Sequence, residues 1–233
     1  VSGDPATWTI ETFAGQRFTR GSTDGTLAQA RFNGPQGLHF DPATGALYVA
    51  DSGNGTVRRI AIATGEVQTV AGTGSFGFSG DGGEARAAQL AYPTAVAVGP
   101  DGSLYVADSH NDRVRRIEPA TGKISTVLGG GGLDPLAAGS PARTLAVPRP
   151  RGLAHDRFGN LFVSTEGRIR VVGAGANRAV DGNGHSEVLF GLAPAGSLAE
   201  ELTGCPSALM PRGDAGLLFV DACRGLLVEL RRH

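Results

Sequence analysis

Apolar residues in this chain come in short alternating bursts, each bounded by Gly, Pro, Asn or Asp. The segment from 93 to 128 shows the pattern most plainly. Pro93 to Val98 reads as a strand and ends at the turn Gly99-Pro100-Asp101-Gly102. Ser103 to Ala107 is a second strand, followed by the polar turn Ser109-His110-Asn111-Asp112. Arg113 to Ile117 is a third, and Pro119-Ala120-Thr121-Gly122 turns into a fourth, Lys123 to Leu128. β-Branched and aromatic residues between strong turn formers predict an antiparallel meander.

The unit repeats. Tyr48, Tyr105, Phe162 and Phe219 lie 57 residues apart, each within a run of the type Leu-Tyr-Val-Ala-Asp. A four-stranded sheet cannot bury both of its faces alone, and a period of this length marks sheets that stack on their neighbours. The expected fold is therefore all-β: a β-propeller of four blades, each of four antiparallel strands. A column of small residues, Gly37, Ala95, Gly152 and Ala208, marks innermost strands crowding at an axis, with Leu38, Val96, Leu153 and Leu209 beside it. The last copy stops after its third strand, whereas Trp8 to Gly15 resembles a fourth strand with no blade of its own. Pairing of 8–15 with the last blade would close the ring and hide its edge. The single domain then comprises this closing strand, blade 1 at 35–72, blade 2 at 93–129, blade 3 at 150–191 and blade 4 at 206–232 of the 233 residues.

Composition agrees with this and narrows the partners. Thirty-seven glycines and 13 prolines alongside 40 % apolar residues suit many short strands and tight turns. A formal net charge of −1, with Lys123 the only lysine, supplies no electrostatic footprint for nucleic acid or an anionic membrane. No apolar run approaches the roughly 18 residues of a spanning helix. The chain starts at Val1, as expected of a processed or trimmed protein.

Residues 71–85 (Ala-Gly-Thr-Gly-Ser-Phe-Gly-Phe-Ser-Gly-Asp-Gly-Gly-Glu-Ala), the motif Leu-Tyr-Val-Ala-Asp and the motif Val-Arg-Arg-Ile resemble the NHL-repeat family, in its bacterial and teneurin-like form. Asp24-Gly25-Thr26 and Ala30 to Pro35 give a sister version in blade 1; the fourth copy lacks both Val-Arg-Arg-Ile and Gly-Asp-Gly-Gly. The resemblance implies a propeller whose role is mostly to bind partners, in an extracellular or periplasmic setting. Within that context Cys205, just before the first strand of blade 4, and Cys223, just after its second, are expected at one end of the sheet. They would form a disulfide there, the alternative being two buried thiols.

Little else reads as chemistry. His39, His110, His155, His185 and His233 occupy unmatched repeat positions. His39 and His155 fall on first strands one position out of step, so they are expected to point opposite ways and to hold no metal. Asp51 with Arg59, and Asp108 with Arg116, read as structural pairs repeated because the fold repeats, rather than as a ligand ring. No cofactor motif is present: Asp181 to Gly184 lacks the later acid of a calcium loop, and Gly129 to Gly132 lacks a phosphate-binding lysine. What remains is surface. The long linkers share a face with the turns carrying Asn54, His110, Asn111 and Asp112, and Phe76 and Phe78 there are either partner contacts or a plug. The expectation is a non-enzymatic scaffold for a protein or a cell-surface glycan. Two alternatives stay open: a lyase or hydrolase using the axial cleft, and a polymer self-associating through strand 8–15.

Overall fold

The computed structural model describes residues 10–133, 141–166, 168–184, 186–190, 206–212, 216–221 and 226–231. Four antiparallel sheets account for nearly all of its regular structure. Sheet one holds β2 (Gly37–Asp41), β3 (Ala46–Asp51), β4 (Thr56–Ala61) and β5 (Glu66–Ala71), with the two-residue β1 (Gly25–Thr26) on the far side of β5. Sheet two is the meander β6 (Pro93–Val98), β7 (Leu104–Asp108), β8 (Arg113–Ile117) and β9 (Ile124–Gly129). Sheet three is β10 (Gly152–His155), β11 (Leu161–Thr165), β12 (Arg168–Val172) and β13 (Ser186–Phe190). Sheet four, among the described residues, has three strands: β14 (Pro206–Arg212), β15 (Gly216–Asp221) and β16 (Leu226–Arg231).

First strands pack side by side in chain order, β2 on β6, β6 on β10 and β10 on β14. The small-residue column explains how they approach. A Cβ on Gly37 would lie 2.6 Å from the Thr94 carbonyl oxygen and 2.7 Å from Ala95 Cα. Alternation then divides each strand between two neighbours. Ala50, Val57 and Ala71 from one face of sheet one meet Val96, Leu104, Val106 and Ile117 of sheet two. From the opposite face of sheet two, Ala97, Tyr105, Ala107 and Val114 meet Leu153, Leu161 and Val163 of sheet three. Ala154, Ile169 and Phe162 continue the series against Leu209, Leu217 and Phe219. Short linker turns at Ala85–Ala87 and Ala142–Thr144 wedge Ala85 and Ala142 into these seams.

The two terminal faces differ. Leu38 on the outer face of sheet one is 67 % exposed, whereas Val96, its counterpart in sheet two, is 3 % exposed. On the far face of sheet four Met210 is 58 % exposed against 1 % for Ala97. The sheets thus form an arc with an apolar face at each end.

Two expectations require correction. The closing strand over 8–15 is not formed by its described part: residues 10–15 belong to no strand and Ile10 is fully exposed. Gly15, at φ +90°, instead donates its N–H to the Leu27 carbonyl at 2.8 Å, and Ala14 packs with Leu27, Ala30 and Phe32 over the outer face of sheet one. The nearest uncovered apolar surface wins over the distant strand edge, since the short loop closes at little entropic cost. Second, the fourth repeat slips by one residue. Leu209 pairs with Phe219 as Leu153 pairs with Val163, so Phe219 occupies the position of Val163 and not that of Phe162. Phe219 is wholly buried in the last seam. Cys205 and Cys223 lie outside the described residues, as do Trp8, His185 and His233.

Candidate functional site

The loop face is organised by a repeated polar clasp. Arg58 and Arg115 are fully buried, as is Arg170 at the matching register position. A register shift recurs beside each one, at Val57/Arg58, Val114/Arg115 and Ile169/Arg170. Bulges of this kind re-aim a side chain. Arg58 Nη1 donates to Asp51 Oδ2 at 3.0 Å, and its Nη2 donates to Asp24 Oδ1 at 2.6 Å. Arg115 reaches Asp108 Oδ2 at 3.4 Å and Asp81 Oδ1 at 2.7 Å in the same way. The expected partners, Arg59 and Arg116, are therefore displaced by one residue: strand alternation turns Arg59 and Arg116 to the other side of the sheet. Arg116 pairs there with Asp101 at 3.2 Å and donates to Ser103 Oγ.

Asp51 and Asp108 also fix the linkers. Asp51 Oδ1 accepts from the Asn33 N–H and Asp108 Oδ1 from the Ala91 N–H. Asn54 Nδ2 donates to Asp51 and to the Gly21 carbonyl; Asn111 Nδ2 donates to Asp108 and to the Gly77 carbonyl. Burial pushes both carboxyls up, against the pull of these donors. Asn54 and Asn111, expected on the binding face, are thus spent on the clasp. Asp112 serves the next linker, its Oδ1 accepting from the Arg149 N–H at 2.9 Å.

What the clasp leaves on the surface is an aromatic ladder. Phe76 stacks on Tyr92 with centroids 4.5 Å apart and planes within 9°, and Tyr92 packs on His110 at 4.4 Å. Phe78 lies 3.7 Å below the Arg113 guanidinium carbon, a cation–π contact. Both phenylalanines stay about half exposed. Phe78 packs under Arg113, and Phe76 forms one end of the ladder.

Beside the ladder a cavity of about 560 Å³ opens at the starts of β2, β6 and β10. Gln36, Tyr92, Thr94, His110, Arg149 and Arg151 supply its polar and aromatic lining. Tyr92 and Arg149 have φ of +48° and +43°, each immediately before a proline. Gly34 takes the same repeat position in sheet one at φ +57°. Tyr92, Arg149 and Arg151 were not singled out from the sequence. The signal was present in Gly34-Pro35, Tyr92-Pro93 and Arg149-Pro150, a repeated residue-proline pair whose first member varies.

At the other end of β10 lies His155, the second histidine of the first strands. His39 and His155 do point opposite ways within the repeat, but they belong to sheets one and three, so both turn toward sheet two. His155 Nδ1 is 3.2 Å from the Gly159 carbonyl, its ring packs on Tyr105 at 4.4 Å, and its buried Nε2 meets no partner among the described residues. Burial pushes His155 down to about 4, with His39 adding repulsion. Among the described residues no three His, Cys, Asp or Glu side chains converge. The folded state binds this proton less readily than the unfolded chain, so stability rises with pH from about 4 to 6.5 and is flat above. The swing is up to about 3 kcal/mol. His155→Val, the residue at the matching place in sheet two, is expected to flatten it; urea titrations at pH 4.5 and 7 that shift equally in both proteins would refute the assignment.

Known proteins fit this architecture. The Teneurin NHL domain matches residues 52–120. Teneurin-1 of Mus musculus is 40 % identical over 86 residues, 32 % of this chain and 3 % of its own. NHL repeat-containing protein 2 of Homo sapiens is 30 % identical over 159 residues, 64 % of this chain and 22 % of its own. The chain thus spans less than a quarter of either relative. Among solved structures, the catalytically inactive H270A virginiamycin B lyase from Staphylococcus aureus with quinupristin has a TM-score of 0.52 at 14 % identity, covering 90 % of this chain and 59 % of the lyase. That likeness is one of fold, an all-β arrangement of radially stacked sheets. With the repeated Val-Arg-Arg-Ile strand and the glycine-rich linkers lying within or beside the matched segment, residues 52–120 carry repeats of the NHL type found in the teneurins.

Proposed function

We propose that this chain is a non-enzymatic recognition scaffold, an arc of four propeller blades that offers a protein or a cell-surface glycan its loop-rich face, outside the cell or in the periplasm. One observation carries the reading. Rigid blades hold an exposed aromatic ladder at the rim of a cavity whose lining includes no carboxylate and no cysteine. Its volume falls in the ~300–1,000 Å³ range of small-ligand sites. Such a lining can hold a partner through stacking and hydrogen bonds. The buried clasp supports the same role, because it leaves the loops little freedom to lose on binding.

A direct test presents the protein to an array of glycans and of secreted-protein ectodomains. Wild type is expected to mark a restricted set. The variant Phe76→Ala/His110→Ala, altered only at half-exposed or exposed positions, is expected to lose that set at least tenfold while melting within a few degrees of wild type. Equal binding by the two proteins, or consumption of the bound compound, would overturn the proposal.

A further inference from the structure

We infer that the axial cavity takes the carboxylate of an acidic saccharide, held between Arg149 and Arg151 with its sugar ring against the Tyr92–His110 end of the ladder. The inference deepens the scaffold reading and rests on it.

Charge comes first. The cavity lining carries two guanidinium groups and a histidine, and no acid. Two acids lie beside the arginines. Asp112 accepts from the Arg149 backbone N–H at 2.9 Å. Glu166 lies 3.9 Å from the Arg149 guanidinium and 3.5 Å from that of Arg151, and these three side chains are about half exposed. An exposed pair of this kind holds weakly and yields to a better-placed anion. Glu166 lies outside the cavity lining, so a carboxylate entering the cavity competes with it for the same two guanidinium groups. Two arginines side by side offer the planar, multi-donor fork that a carboxylate or a sulfate fits better than a neutral hydroxyl does.

Backbone strain points to the same spot. Position 34 shows that glycine satisfies the turn before the proline. Two other copies carry Tyr92 and Arg149 in the same left-handed conformation, which is costly for a side-chain-bearing residue and more so before proline. Arg149 recovers none of that cost by burial, being exposed, whereas Tyr92 recovers part of it between the Phe76 and His110 rings. Strain of this kind clusters at ligand sites. Here it aims one aromatic ring and one guanidinium into a single cavity.

The remaining groups select a sugar. His110, the free end of the ladder, offers a flat aromatic surface whose electron-rich face attracts the polarised C–H bonds of a pyranose. The Gln36 amide and the Thr94 and Ser109 hydroxyls around it suit ring hydroxyls, with Thr94 Oγ1 already donating to the Pro150 carbonyl and so left as an acceptor.

The test is calorimetric titration of the full chain with a glucuronate-containing tetrasaccharide, a neutral tetrasaccharide of equal length and an acidic tetrapeptide. Only the uronate is expected to bind, with affinity falling steeply as salt rises. Arg149→Gln/Arg151→Gln, at exposed positions that leave the clasp intact, is expected to weaken it at least tenfold with unchanged melting. Tighter binding of the peptide, equal binding of the neutral sugar, or indifference to the arginine changes would overturn the inference. The array distinguishes the two failures. If the ladder variant loses its partners while the uronate never binds, the ligand class alone is wrong. If the ladder variant keeps them all, the recognition face itself is misplaced.

Discussion

Asp108→Ala is expected to destabilise the protein by about 3–5 kcal/mol, the usual effect of stranding one member of a buried ion pair. Arg115 is fully buried, so its guanidinium would be left in the interior without this carboxylate. With Asp108 gone, Nη1 loses this acceptor, the buried Ala91 N–H loses its own, and the Asn111 amide keeps only the Gly77 carbonyl. The outer partner behaves differently. Asp81 has an exposed side chain, so water replaces it, and Asp81→Ala is expected to cost about 1 kcal/mol. Removing both buried charges, as Asp108→Leu/Arg115→Met, is expected to recover much of the loss. Urea midpoints for the three variants at constant slope decide the matter. A loss below about 1 kcal/mol for Asp108→Ala would show that the clasp does not hold the linker to its sheet.

Gly72→Ala is expected to be nearly as damaging, through the backbone. Gly72 sits at φ +90°, and a Cβ there would lie 2.2 Å from the Gly55 carbonyl oxygen and 2.9 Å from Thr56 Cα. Gly129 repeats the arrangement in sheet two, 2.3 Å from the Asp112 oxygen. The fourth strand would have to leave the third, and neither atom belongs to a flexible side chain. Adding about 1–2 kcal/mol for the left-handed residue to about 1–3 kcal/mol for overpacking gives roughly 2–5 kcal/mol. At about 2–4 °C per kcal/mol the melting point is expected to fall by roughly 10 °C. Gly45→Ala is the control: φ is +62° but no atom lies within 4 Å, so only the conformational cost applies and the fall is expected to stay near 4 °C. Equal shifts for the two variants would remove steric contact from the explanation.

Much of the fold was legible because the strands are short and the turns are chemically explicit. The third strand of sheet two runs Arg113–Ile117 in both the reading and the structure, and the first runs Pro93–Val98. The failures are equally physical. Asp108 was matched to Arg116 from spacing along the chain; its partner is Arg115, whose neighbour across the strands is Val106 on the buried face. Period-two alternation contained that answer, but a run of two arginines hides which one points inward. Phe219 looked equivalent to Phe162 because aromatic residues recur at 57, and only pairing with Leu209 reveals the slip. The binding cavity was least legible. Tyr92, Arg149 and Arg151 come from two linkers and a strand start, and no local pattern says that inner strands bring those points together around an axis. Distance from the clasp was the missing clue: Asn54 and Asn111 looked like recognition residues in a turn, yet they hold the turn in place.

The partly exposed flanks of the arc carry a consequence for how such a molecule lengthens. Leu38 and Phe40 at one end, and Met210 and Leu227 at the other, present the same two halves of the joint already used three times inside. Each joint is local, so its fit does not depend on how many others exist. A tandem duplication that copies one full period would arrive with both halves of the fastening built in and would find a seat at either flank. Growth by simple copying needs no fresh invention here, and an extra unit gained in this way would disturb nothing that came before it.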